Sequence, residues 1–195
     1  MVTESDIRAS LWLYTQAMFL AVKGSAIKQN PHQIAICRAL ERVVIGKTKR
    51  LIINIPPRAG KTEIAVKMFI SWAMGVFPDS QFIHTSYSKR LATSNAYGVR
   101  ALMQHEYYQH LFPQTRLEQG SAAKDDFRTT KGGIVYAVGA GGAITGYGAG
   151  GMGSQFKGCF AYDQMVDTEH GSARIGDIVK SGTPLRVWSY NDHTG

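Results

Sequence analysis

Gly60-Lys61-Thr62 is the first cluster along the chain whose residue types and order point to chemistry. It follows Leu51 to Ile55, an apolar, β-branched run with one Asn. It precedes an apolar helical pattern that starts at Glu63. The run reads as a buried parallel strand, and Pro56 and Pro57 stop it. Strand, turn, GK[ST] and helix is the order that a phosphate-binding loop requires. Backbone N–H groups at a helix start point at phosphate oxygens. Lys61 reaches the β- and γ-phosphates in such a loop, and the Thr62 hydroxyl ligates Mg²⁺. ATP and Mg²⁺ are the expected ligands. The full pattern opens with a glycine where this chain has Ile55. The competing reading is a plain strand-loop-helix turn, since the tripeptide also occurs by chance.

The elements that position this loop follow from periodicity and caps. Leu11 to Val22 reads as a helix ended by Gly24. Asn30-Pro31 reads as an N-cap with proline at the first helical position. Ile34, Cys37, Leu40 and Val44 follow at helical spacing, and Gly46 ends that helix. Gln33 lies on its first turn. In many motor ATPases a glutamine upstream of the phosphate loop reads adenine; a glutamine that merely starts a helix is the equal alternative. Ile64 to Met74 is a hydrophobic helix closed by Gly75. Gln81 to Tyr87 is a second strand, with His84 as a strand residue and no metal-spaced partner. Ser88 caps a helix to about Met103, Glu106 to Leu111 is a short helix, and Ile134 to Val138 is a third strand. This alternation argues a parallel α/β sheet with the loop at a strand's C-terminal end.

Bulk properties narrow the classes. The 195 residues suit one medium domain, or one domain plus a fragment, and 44% are hydrophobic. Net charge is +8, and it is unevenly spread: residues 1–158 hold 19 Lys/Arg against 9 Asp/Glu, whereas residues 159–195 hold 3 against 5. The basic part favours a polyanion such as DNA, or is a solvated surface. Cys37 and Cys159 make no disulfide framework, which fits a reducing cytosol. Glu4 and Asp6 stand where a secretory leader would be basic. Ile7 to Val22 is too short and too polar to span a membrane and reads as a buried helix, so no membrane partner is expected. From Gly139 to Gly158, 9 residues are glycine, which suits a linker or a loop that approaches phosphate or another chain.

Residues 47–158 resemble the ATPase domain of tailed-phage terminase large subunits, the motors that package DNA into capsids. The resemblance rests on INIPPRAGKTE, FIHTSYSKRLA, YYQHLFPQT and GGIVYAVGAGGAITGYGAG in that order. Terminases often lack the first loop glycine and carry PPR before GK[ST], so Ile55 fits the family. The resemblance implies that Arg58, Ala59, Gly60, Lys61 and Thr62 form the ATP site, with Thr62 on Mg²⁺ and Gln33 as a further nucleotide contact. Arg58 could also place positive charge on the γ-phosphate. It implies double-stranded DNA, a portal and a small terminase subunit as partners, in the cytoplasm of an infected bacterial host.

In that family the Gly-rich segment leads into a strand that ends in acidic residues. Here FKG is followed by CFAYDQ. One reading takes Cys159 to Tyr162 as the strand, Asp163 as the Mg²⁺ carboxylate and Gln164 in place of the catalytic acid. The other is that Cys159 to Asn191 resembles the start of an intein of the Hint type, a self-splicing insert. Cys159, Asp163, Met165-Val166, Thr168, Gly171, Ile175, Asp177 and Ile178 match its N-terminal block, and PLRVWSY alternates like its next strand. Gln164 departs from the family's usual Thr. The resemblance implies that Cys159 attacks the Gly158 carbonyl, which makes these two the catalytic pair. The Thr-x-x-His block and the closing His-Asn are absent, and His193 stands too near the end to replace them. A separate C-intein and C-terminal terminase polypeptide is therefore the expected partner.

The expected architecture is an incomplete P-loop NTPase sheet with flanking helices, followed by a short all-β Hint fragment. The expected parts are an N-terminal helical region (1–46), the ATPase fragment (47–158) and the N-intein (159–195). Two alternatives remain: an intact helicase-like P-loop ATPase with CFAYD as its Walker B strand, and a non-enzymatic nucleotide- or DNA-binding remnant.

Overall fold

The computed structural model describes residues 2–118, 126–140, 157–158, 165–168 and 171–174. The chain forms two compact units, Met1–Gly158 and Cys159–Gly195. The first unit is mixed α/β, as the alternating pattern implies.

The N-terminal helices form where local signals are strongest. In α1 (Glu4–Ala9), Thr3 and Asp6 close a capping box: Thr3 N donates to Asp6 Oδ2 at 2.9 Å, and Thr3 Oγ1 accepts from Asp6 N. α2 (Leu11–Lys23) ends at Gly24. The apolar stretch Ile7 to Val22 is thus two helices, because Ser10 is extended between them. Glu41 holds the break, its Oε1 accepting from Leu11 N at 2.7 Å. α3 (Pro31–Val44) buries Ile36, Cys37, Leu40 and Val44 on one face. Among the described residues no helix is long and apolar enough to cross a membrane.

The helix after the glycine loop starts at Lys61. Its residues Glu63–Met68 form a π-helical turn, and α4 (Phe69–Val76) continues it. π-Helical turns are rare and recur at functional sites. The N-terminal helices are tied to α4 by polar bonds, one buried and one half-buried. Tyr14 Oη and Ser71 Oγ share a hydrogen bond of 2.8 Å, and Trp72 Nε1 donates to Arg8 O at 2.9 Å. Tyr108, from α6 (Glu106–Leu111), donates its hydroxyl to Ser71 O at 2.9 Å. Burial raises the phenol pKa of Tyr14 and of Tyr108, so both stay neutral donors.

The sheet order is β2-β3-β1-β4. β1 (Gln81–Ser86) runs parallel to β3 (Ile134–Gly139), with Gln81 opposite Ile134 and Ser86 opposite Gly139. β2 (Asp126–Arg128) is antiparallel to β3. On the other side of β1 lies β4, only Lys157–Gly158, parallel to it and opposite Gln81 and Phe82. α5 (Lys89–Gln104) crosses from β1, and the Ser88 side chain caps it by accepting from Leu91 N. α5 and β3 pack very closely at one point. A Cβ on Gly139 would stand 2.5 Å from Lys89 N and 2.9 Å from Lys89 Cα. Both are backbone atoms, so neither can swing aside. Gly139→Ala is expected to destabilise the unit by about 1–3 kcal/mol in urea denaturation, without changing the slope.

The strand read over Leu51 to Ile55 is absent from the ladder. Among the described residues these five have no strand partner, although Leu51, Ile53 and Ile55 pack on the core. Ile52, by contrast, is 86% exposed. The segment keeps the alternation of a one-sided strand. What it lacks among the described residues is a neighbour, and a ladder needs two strands.

In the second unit β5 (Met165–Thr168) pairs antiparallel with β6 (Gly171–Arg174), with Thr168 opposite Gly171. This is where the sequence places a strand followed by a Thr-x-x-Gly turn. The CFAYDQ strand, the Ile175-Asp177-Ile178 pattern, PLRVWSY and His193 lie outside the described residues.

Candidate phosphate-binding loop and joining site

The loop is shaped by two residues in the left-handed region. Arg58 has φ 63° and Gly60 φ 82°. Gly60 meets this requirement without strain, whereas an arginine rarely adopts it. After Gly60 the chain turns directly into helix, and Ile64 N donates to Gly60 O at 3.0 Å. Lys61 and Thr62 then occupy the first helical positions, and both are exposed. The first amides of a helix have no carbonyl partner within it, which leaves them to a ligand or to water. Among the described residues Lys61 Nζ has one weak contact, 3.5 Å from Ile55 O. The lysine is therefore available to an anion.

The start of α3 braces the loop. His32 Nε2 donates to Ala59 O at 3.2 Å. Gln33 is buried, and its Oε1 accepts from Asn30 N at 3.0 Å, the bond of a helix cap. Its Nε2 faces the loop: a Cβ on Gly60 would stand 3.8 Å from it. The sequence brings Arg58 to Thr62 together by adjacency. Only the fold brings Gln33 to them, from a helix that precedes the Leu51–Ile55 segment. Sequence reading does not single out His32, since a lone histidine on a helix start carries no signal of its own.

Glu63, the nearest carboxylate in sequence, pairs with Lys67 at 2.8 Å. Among the described residues no group of three or more His, Cys, Asp or Glu side chains is placed to hold a metal ion. Thr62 offers a single hydroxyl ligand.

The candidate joining site is partly described. Gly158 is the last residue of β4, and the boundary between the two units falls between it and Cys159. Cys159 itself, like Asp163, lies outside the described residues. The other cysteine, Cys37, is fully buried. Burial, and then the charge of Glu41, push its thiol up to about 12. A thiol held that high is not a nucleophile at neutral pH.

No known protein family, characterised protein or solved structure matches this chain.

His84 sits in β1 as the strand residue it reads as, accepting at Nε2 from Asn95 Nδ2 at 3.1 Å. Desolvation lowers its pKa from the usual 6.5, so it is neutral when folded. The unfolded chain takes up this proton first as pH falls. The stability that neutral His84 contributes is whole above about pH 6.5 and is lost progressively as pH drops below it. In His84→Gln, which keeps an acceptor for Asn95, the acid side of the stability profile should become flatter. Thermal melts of both forms from about pH 7.5 to about pH 5 measure the difference.

Proposed function

We propose that this chain is the N-terminal precursor of a viral DNA-packaging terminase ATPase and carries the N-terminal half of a split intein. The observation that carries the reading is the division of the chain at Gly158–Cys159. Splicing chemistry needs a module boundary at a peptide bond that precedes a nucleophilic residue, and Cys159 is one. The same bond separates the basic part of the sequence from the acidic part.

In this reading Cys159 attacks the Gly158 carbonyl carbon. The Sγ–C bond forms, the C–N bond breaks, and the Cys159 nitrogen takes up the proton that the thiol gives up. A thiol suits the step because it is a good nucleophile and its ester remains reactive. Gly158 has no side chain to crowd the approach. The complementary polypeptide, a C-intein fused to the rest of the terminase, supplies the groups that drive the shift forward and complete the joining.

In this reading the first unit is a P-loop sheet that is incomplete before splicing, and the second is a Hint fragment. The helix start at Lys61, the left-handed Gly60 and the exposed Lys61 and Thr62 support nucleotide binding. ATP would lie with its β- and γ-phosphates on the loop amides and Lys61, and Thr62 would take part in the Mg²⁺ shell. Mg²⁺ supplies charge neutralisation at the transferring phosphoryl group. Gln33 and Arg58 would line the same loop. DNA, a portal and a small subunit are partners of the joined motor.

The test is to mix the purified chain with its candidate partner half and follow masses by electrophoresis and mass spectrometry. A joined product that carries residues 1–158 and releases the segment from Cys159 onward supports the reading. Steady ATP hydrolysis by the chain alone, sensitive to Asp163→Ala, would instead make CFAYD the metal strand of an intact helicase-like ATPase. Neither nucleotide binding nor joining would leave a non-enzymatic remnant.

A further inference from the structure

The peptide that links Ala59 to Gly60 is held from outside the loop. Ala59 O accepts from His32 Nε2 at 3.2 Å, and His32 lies on the first turn of α3. This peptide is trans, so its C=O and its N–H point in opposite directions. The bond to His32 therefore turns the Gly60 N–H away from that histidine. It also keeps Ala59 O from a second donor. In a regular helix each N–H donates to the carbonyl four residues back. Ile64 N does so, to Gly60 O at 3.0 Å. For Glu63 N the matching carbonyl is Ala59 O, which His32 has drawn aside. Among the described residues Glu63 N has no acceptor, and neither have the amides of Gly60, Lys61 and Thr62. Four consecutive N–H groups are thus left to a ligand.

We propose that His32 is a positioning residue of the phosphate loop: by holding Ala59 O it keeps the Ala59–Gly60 peptide in the orientation that leaves these amides to the phosphates of a nucleotide. The inference rests on the nucleotide reading of this loop. The competing state is a flip of the same peptide. Released from His32, Ala59 O turns to Glu63 N, and the helix gains one bond at its start. The flip also reverses the Gly60 N–H. It changes the φ of the residue after the peptide, which is Gly60. Gly60 now has φ 82°, whereas a helical residue needs a negative φ. Glycine populates both signs, so the flip meets no steric bar there. His32 and Glu63 N therefore compete for one carbonyl. A ligand that needs the open orientation binds less tightly by the fraction of chains that have left it. One hydrogen bond shifts such a balance by roughly two- to tenfold.

Calorimetric titration of ATP with Mg²⁺ into the full chain tests this with two substitutions at an exposed position. His32→Phe keeps a ring and removes the donor, and affinity should fall roughly two- to tenfold. His32→Gln keeps an N–H donor and should stay within about twofold of the unaltered chain. Amide exchange without ligand, read by NMR, gives a signal that a merely structural role would not. The Glu63 amide should exchange quickly in the unaltered chain and more slowly in His32→Phe, because the flipped carbonyl then accepts from it. Simple loosening of the loop would speed exchange instead, and that result would overturn the proposal. So would an equal loss of affinity in His32→Phe and His32→Gln, since the donor would then not be what matters. Unchanged affinity in His32→Phe, with binding weakened in Lys61→Ala, would overturn it and leave the nucleotide site standing. Binding that neither His32→Phe nor Lys61→Ala weakens would remove the nucleotide reading of the loop, and this proposal with it.

Discussion

Cys159→Ala is expected to abolish joining, leaving only full-length chain after incubation with the partner half. Alanine has no nucleophile, and no other thiol can substitute. Cys37 is buried with its thiol held near 12, and it belongs to α3, whose face toward the core it helps to form. Cys159→Ser separates the role of the nucleophile from that of the backbone. A serine hydroxyl can make the same acyl shift but is a far weaker nucleophile at neutral pH, so joining should slow by roughly 10²-fold or more without vanishing. The unaltered chain should also speed up as pH rises toward the thiol's own pKa, since the thiolate is the attacking form. Mass spectrometry over a time course reads all three. Equal rates for the unaltered chain and the Cys159→Ser variant would show that attack by this side chain is not the slow step. Joining that persists in Cys159→Ala would remove the intein reading.

Lys61→Ala carries the second large effect. It should weaken binding of ATP by roughly tenfold to several hundredfold, since hydrogen bonds to a charged group contribute about 1.5–3 kcal/mol each. Stability should barely change, by about 0.5 kcal/mol or less, because an exposed side chain with one contact of 3.5 Å to Ile55 O supports little else. That separation is the useful feature. A loss of binding with an unchanged melting temperature assigns the lysine to the ligand. Calorimetric titration of ATP with Mg²⁺ into both forms, alongside thermal melts, measures it. After joining, the same substitution should stop hydrolysis, because the cation is then missing where charge develops on the phosphates. Unchanged affinity would return GKT to a plain turn.

The helices are legible because their signals are local. Pro31 after Asn30, the Ile34-Cys37-Leu40-Val44 spacing and Ser88 before α5 each act within a turn or two. The Thr3-Asp6 capping box is equally local, but the apolar stretch beside it masks the short α1 and the break at Ser10. β1 and β3 are legible because each is a short run with β-branched or aromatic residues, followed or preceded by turn residues. β4 is not, as two residues at the end of a glycine-rich stretch carry no period. Leu51–Ile55 shows the deeper limit. Its pattern is that of a strand, and its side chains pack as a strand's would. Pairing depends on the neighbour it meets, and no feature within five residues encodes that neighbour. The loop is legible from its tripeptide, but its bracing by His32 and Gln33 is a tertiary contact that spacing does not reveal.

Arg58 carries a consequence for how this chain changes under selection. Its left-handed backbone costs about 1 kcal/mol relative to a residue that tolerates that region. Glycine or asparagine would fit there with less effort. A library screened for heat resistance alone should therefore drift away from arginine at this position. A library screened for the activity of the joined motor should hold it. Where the two screens part company is a direct readout of whether the guanidinium serves a ligand, obtained with no knowledge of what that ligand is.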